Sequence, residues 1–263
     1  MRLVSCFFLF LSYFSYAQEI VSDLTFNTQI GEEEHLMFQE RMMSSLSLPF
    51  FDDFSNYKGY PKSTHWEDQD AFINTNLPFE PLNLGVATLD ALDAFGNPRN
   101  IVSSSAHGPA DYLTSKPLDA SGHTQLYFSF YFQPEGIGNA PEGNDVLELE
   151  FKDTSGNWLS VWDTVGFNVS PFQKIAITID NPIFLHDNFQ FRFHNKATLS
   201  GNFDHWHIDN VLLTEDYNLS IDEEDIAFVS DDVRLLEYYH EMPWSHFQTS
   251  QDIWMKEDFD SQL

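Results

Sequence analysis

Four stretches of this chain alternate apolar and polar residues with a period of two, and no helical period separates them. In QLYFSFYFQ, Leu126, Phe128, Phe130 and Phe132 fall on one side and Tyr127, Ser129 and Tyr131 on the other. DVLELEF places Leu147, Leu149 and Phe151 opposite Glu148 and Glu150. FQKIAITI repeats the pattern with Ile175, Ile177 and Ile179, and NFQFRFHN with Phe189, Phe191 and Phe193. Successive side chains of a strand point to opposite faces, so each stretch reads as a strand with one face in a core and one outside it. Asn97-Pro98, Pro134–Gly138, Ser155-Gly156-Asn157 and Ser200-Gly201-Asn202 punctuate them, and DTSGNW reads as a tight hairpin between Phe151 and Trp158. Parallel sheets need crossover helices between strands, and none is legible here. The pattern therefore predicts an all-β, antiparallel sandwich.

The chain divides into four parts. Arg2 is the only charge before Glu19, Leu3 to Tyr16 is apolar or aromatic, and Ser15-Tyr16-Ala17 supplies the small residues that a signal peptidase reads. Residues 1–17 are expected to be a secretory signal cleaved after Ala17, which sends the chain to the periplasm, the cell surface or the medium. Cys6 is the single cysteine and lies in that segment, so the mature chain is expected to hold together without disulfides. Residues 18–47 form a lead-in arm in which Leu36, Met37, Met43 and Leu46 have loosely helical spacing behind Glu32–Glu34. Residues 48–215 hold the alternating strands. Residues 216–263 are acidic, loosely helical around Val233–Tyr239 and interrupted at Pro243. Their many apolar residues suit the start of a truncated second domain, or a tail that docks on a protein partner.

Charge excludes some partners. The chain carries 12 Lys and Arg against 41 Asp and Glu, a net −29. Nucleic acid and anionic membrane surfaces call for basic patches, so neither is expected to bind. No segment after the signal is long and apolar enough to insert in a membrane. An acidic chain of this kind is either highly solvated or supplies oxygen ligands to calcium.

Two distant segments carry a family resemblance. LPFFDDFS at Leu48–Ser55 is an early aromatic strand ending in paired aspartates, and DHWHIDNVLL at Asp204–Leu213 reads as a closing strand. Between them, in order, stand Trp66, GVATLDALDAFGNP, YLTSKPLDAS and LYFSFYFQPEG. Together these pieces resemble the concanavalin-like jelly-roll modules of surface proteins, of MAM type, and more closely the adhesin modules of bacteroidete proteins exported by the type IX route. The resemblance implies a non-catalytic adhesion or recognition module for a polysaccharide or protein ligand, with structural calcium. The chain lacks the cysteines of animal MAM domains and the glycine-rich C-terminal sorting domain of type IX cargo. A structural subunit of a secretion or gliding apparatus is a further reading, in which the acidic tail is the docking segment.

The residues offer several candidate sites. Asp52, Asp53 and Asp209 are candidate calcium ligands if the first and last strands lie side by side, because calcium takes six to eight oxygens; the plainer reading is turn-capping aspartates. His205, His207 and Asp209 stand at i, i+2 and i+4, one face of a strand, where zinc is conceivable but a fourth ligand is missing. Tyr127, Tyr131, Trp158, Trp162 and Trp206 are candidates for a sugar-stacking platform, with Trp158 and Trp162 at equal strand parity. Glu148 and Glu150 invite an enzyme reading. They resemble the alternating acids of laminarinase-type glycoside hydrolases, whose retaining pairs stand ~5–5.5 Å apart. Here the intervening acid is absent and Lys152 occupies the place of the next one. No catalytic residue is therefore assigned; Glu148 and Glu150 remain the alternative.

Overall fold

The computed structural model describes Asn27, residues 45–218 and the backbone of two further strands, Ile226–Phe228 and Met255–Glu257. In chain order the strands are β1 (Phe50–Asp52), β2 (Phe72–Asn74), β3 (Val86–Leu89), β4 (His107–Thr114), β5 (Leu126–Pro134) and β6 (Val146–Lys152). They continue with β7 (Trp158–Val165), β8 (Gln173–Ile179), β9 (Phe191–Thr198), β10 (Trp206–Thr214), β11 (Ile226–Phe228) and β12 (Met255–Glu257). One sheet runs β2-β3-β10-β5-β8, with β1 also on β10, and the other runs β4-β9-β6-β7. All their pairings are antiparallel. The result is a jelly-roll β-sandwich, as the alternation predicts.

The inward residues are those of the alternating code. Leu126, Phe128, Phe130 and Phe132 of β5 face Leu147, Leu149 and Phe151 of β6 and Phe191 and Phe193 of β9, in a core that also takes Trp206, Ile208, Val211 and Leu213. Phe128 meets Phe191 edge-on at 4.7 Å, and Phe130 meets Phe193 at 4.8 Å. Burying each such ring stabilises the fold by roughly 1.5–3 kcal/mol, and favourable ring pairs add about 0.5–1.5. A core this rich in phenylalanine needs no disulfide. Ile175 and Ile177 are only half-buried because β8 is an edge strand.

The first and last strands of the sandwich do lie side by side: Phe50 is opposite Leu213 and Asp52 opposite Val211. A bulge splits β10. Tyr131 pairs with Asp209 but Ser129 pairs with Leu212, so β10 carries one extra residue. Asn210, at φ 47°, absorbs it. The bulge lets Ile208 and Val211 both point inward. The DTSGNW hairpin forms as read, closed by the Asp153 N–H on the Asn157 carbonyl with Gly156 at φ 83°.

Most of the lead-in arm, with its expected helix, and the helical stretch expected around 233–239 lie outside the described residues. Leu46 is described, and it is extended: it bridges Leu118, its N–H bonded to the Pro117 carbonyl at 2.7 Å. In the tail, β11 pairs antiparallel with β12, Ile226 opposite Glu257.

Candidate functional site

The two sheets have different outer faces. On the first sheet the outward residues of the upper half are polar yet buried: Thr88, Gln133, His207 and Asp209 all have no exposed surface. The 75–85 loop covers them. Gln133 accepts the Phe79 N–H at 2.7 Å and donates to the Phe79 carbonyl at 2.8 Å. The Asn83 amide donates to both Asp209 oxygens at 3.1 and 3.2 Å and to the Asn210 side-chain oxygen at 2.8 Å. The upper half of this face is closed by the chain itself.

The outer face of the second sheet is half-exposed among the described residues. It is built from the residues that alternate with the core: Tyr112 on β4, Arg192, His194 and Lys196 on β9, Glu148, Glu150 and Lys152 on β6, and Trp158 and Ser160 on β7. Cross-strand register places Tyr112, His194 and Glu148 in one row, Arg192, Glu150 and Ser160 in the next, and Lys152 beside Trp158. The guanidinium carbon of Arg192 lies 4.3 Å from the Trp158 ring centre and 5.2 Å from that of Tyr112. Tyr112 stacks on His194 at 5.4 Å. Rings and cations thus form one strip across the face, held by cation–π attraction. Two charge clusters fix it from below: Arg192 Nε donates to Glu150, while His194 Nε2 stands 3.2 Å from Glu148 and 3.4 Å from Glu150. Lys196 stands 3.7 Å from Glu148. Burial lowers the His194 pKa against the pull of Glu150 and Glu148, and its Nδ1 is buried without a partner.

The expected platform is therefore split. Tyr127 and Tyr131 stand on the outer face of the first sheet, where Tyr127 meets Tyr217 at 5.2 Å and Tyr131 lies under Lys174 at 5.3 Å. Trp158 stands on the second. Trp206 is in the core, and Trp162 is partly buried against it, 5.1 Å from Phe130 and 5.0 Å from Phe132. Equal parity fails for Trp158 and Trp162 because β7 bulges: Leu149 pairs with Trp162 and Glu150 with Ser160, so Val161 is the extra residue that turns the second tryptophan inward.

Asp52, Asp53 and Asp209 have unequal fates. Asp52 accepts the Trp66 indole N–H at 2.7 Å, the Tyr57 hydroxyl at 2.6 Å and the Phe54 N–H at 3.0 Å. That explains why an Asp-Asp strand end is followed by Trp66, and it takes Asp52 out of the ligand set. Asp53 caps Ser55, accepting its N–H at 3.1 Å and its hydroxyl at 2.8 Å. Asp209 is the unusual group. Burial raises its pKa well above the carboxylate range, and the acidic charges of Asp53 and Asp52 raise it further, opposed only by hydrogen bonds from Asn83 and the Asn210 N–H. Its oxygens accept from the Asn83 amide and from the Asn210 N–H at 2.7 Å, and Asp52, Asp53 and Asp209 are not among the side-chain sets that converge closely enough to share an ion.

Zinc does not fit the histidines. His205 Nδ1 accepts the Asn139 N–H at 2.9 Å, and His207 bonds Thr88 Oγ1 through Nδ1 at 2.9 Å and the Glu135 carbonyl through Nε2 at 3.3 Å. Burial keeps both rings neutral, the pKa falling to about 4 for His205 and to about 3 for His207. The glycines of PEGIGN are required there: a Cβ on Gly138 would lie 2.5 Å from the His205 ring, and one on Gly136 2.4 Å from His207. Among the described residues, the acid and histidine sets of three that do converge closely are Glu148-Glu150-His194 and Glu142-Asp145-Asp204.

Tyr112, Arg192, His194, Lys196 and Asn83 were not legible as site residues. The sequence signal for the β9 set is its alternation with Phe191, Phe193 and Asn195, which marks outward residues without saying what they meet.

No protein-family model matches this chain, and no curated protein matches it significantly. Among solved structures, it is similar to a family 27 carbohydrate-binding module of Caldicellulosiruptor saccharolyticus solved with mannohexaose, at 14% identity and TM-score 0.40, over 64% of this chain and 97% of that one. It is also similar to a cleaved adhesin domain of Lys-gingipain, at 14% identity and TM-score 0.38, over 64% and 99%. A xylan-binding domain of Paenibacillus barcinonensis shares 8% identity at TM-score 0.35, over 65% and 96%.

Proposed function

We propose that this chain is a secreted, non-catalytic jelly-roll module that binds polysaccharide through the outer face of the β4-β9-β6-β7 sheet, in adhesion or recognition at a cell surface. The observation that carries the reading is the contrast between the two outer faces. The upper half of one is closed by the 75–85 loop. The other presents half-exposed Trp158 and Tyr112 with donors and acceptors between them on a rigid sheet. Rings supply the flat apolar contact that a sugar ring needs, and fixed polar groups supply orientation. Calcium at Asp209 and Asp53 is part of the proposal; it would brace the β10 bulge against the loop that covers the first sheet. The affinity to adhesin modules of bacteroidete type belongs to the same proposal, as does a protein partner for residues 216–263.

The hydrolase alternative is disfavoured by geometry. Both glutamates are engaged by Arg192, His194 and Lys196, and Lys152 stands where a third acid is needed. The test is retention on immobilised or gel-embedded polysaccharides. The chain should be retarded by at least one, and Trp158→Ala should abolish the retardation while leaving the melting curve nearly unchanged. Release of reducing ends that disappears in Glu150→Gln would replace the binding reading with the enzyme.

A further inference from the structure

Arg192 is the most constrained group on the half-exposed face. Its Nε donates to Glu150, and its plane lies against two rings, 4.3 Å from Trp158 and 5.2 Å from Tyr112. Its side chain is 23% exposed, and among the described residues Nη1 and Nη2 donate no hydrogen bond. With Nε bonded to Glu150 and two rings within cation–π range, the Nη1–Nη2 edge is the part of the guanidinium left without a partner among the described residues. That edge is complementary to a carboxylate, which accepts both N–H groups at once. Pre-fixing the fork by rings and by Glu150 removes much of the ordering cost of binding.

The surroundings agree. Of the chain's 12 Lys and Arg, Lys152, Arg192 and Lys196 share this face, in a molecule of net charge −29. Lys196 is 44% exposed and only loosely paired with Glu148 at 3.7 Å. Lys152 bonds the Gln190 side chain at 2.7 Å and leans over Trp158 at 5.8 Å. Cations are thus placed where a strongly acidic chain has few to give. Glu148, Glu150 and the exposed Asp163 share the face with them, and negative charge elsewhere on the chain is screened beyond roughly 8 Å at about 0.15 M salt.

We propose that this face selects acidic polysaccharides, a uronate carboxylate seated on the free Nη edge of Arg192 with Lys196 as a second cationic contact. The inference rests on the carbohydrate-binding reading above and adds the ligand class. It is tested by calorimetric titration at physiological salt with oligogalacturonate, with xylo-oligosaccharide of equal length as the neutral probe and a carrageenan oligomer as the sulfated one. Wild type should bind the uronate about tenfold or more tighter than the neutral oligomer, because a bidentate charged pair is worth roughly that much. Arg192→Lys keeps the charge and removes the fork, so its loss on the uronate should exceed its loss on the neutral probe by about tenfold. Lys196→Met, at an exposed site that tolerates change, should lose affinity for the uronate alone.

Neutral binding that equals or exceeds uronate binding overturns the acidic assignment and leaves the carbohydrate reading standing. Uronate binding unchanged in both variants also overturns it. Tighter binding of the sulfated oligomer overturns the carboxylate as the group read. Absence of binding to all three overturns the assignment; retention of some other neutral glycan that is lost in Trp158→Ala would still uphold the broader reading.

Discussion

At the scale of single residues, Asp209 and His207 stand side by side on the closed face with opposite demands. Asp209 is an acid whose folded pKa is raised by burial from the usual 3.8. Folded protein therefore holds its proton where unfolded protein does not, and stability falls as pH rises from about 3.8 toward the folded value. A bound calcium ion would favour the charged form and remove that loss. We expect calcium to raise the melting temperature by several degrees over chelator at neutral pH, in wild type but not in Asp209→Ala. Thermal scans that coincide in all four conditions would remove calcium from the account. His207 has the reverse sign. Its pKa is lowered by burial, and by His205, from the usual 6.5 to about 3. Its contribution is complete above pH 6.5 and is lost as pH falls, because unfolded protein takes up the proton first. His207→Gln should flatten the decline in urea stability between pH 6.5 and 4.5. An equally steep decline in the variant would show that the acid sensitivity comes from elsewhere.

At the scale of elements, strands carried a clear code and bulges did not. Leu147, Leu149 and Phe151, or Phe191 and Phe193, are inward because a two-residue period leaves no other choice, and the 153–157 hairpin has the turn residues it requires. One extra residue reverses parity, and nothing in WLSVWDTV marks Val161 as that residue. That single insertion separates Trp158 from Trp162 and dissolves the platform that equal parity suggests. In β10, Asn210 gives a weak hint, since asparagine tolerates a positive φ better than most residues. Partners across strands were hidden altogether: Arg192 meets Trp158 through register, which is a property of the sheet. Close approach of elements is equally silent in sequence. Gly85 enters β3 where an added Cβ would lie 2.0 Å from the Phe54 carbonyl oxygen, next to the exit of β1. Gly85→Ala should cost about 2–3 kcal/mol, read as a lower denaturant midpoint at unchanged slope. A midpoint within error of wild type would mean that the β1–β3 junction yields freely.

At the scale of the molecule, the sandwich has one outer face whose upper half the chain covers itself and one that is half-exposed among the described residues. Closing that upper half fixes Thr88, Gln133, His207 and Asp209 in a buried polar layer, which braces the sheet from outside as the phenylalanines do from within. The second sheet is braced by its ion pairs, and in the proposed function it is the rigid surface that an outside ligand meets. The central claim is that this surface, and not the tyrosine-bearing face of the first sheet, meets the polysaccharide. A titration of ¹⁵N-labelled protein with a retained oligosaccharide, followed through the tryptophan indole signals, tests it most directly. Trp66 and Trp206 are fully enclosed and serve as internal references. The account predicts that the Trp158 indole signal moves progressively to saturation while those of Trp66 and Trp206 stay in place. A stationary Trp158 signal, with shifts confined to the amides of Tyr127 and Tyr131, would contradict it.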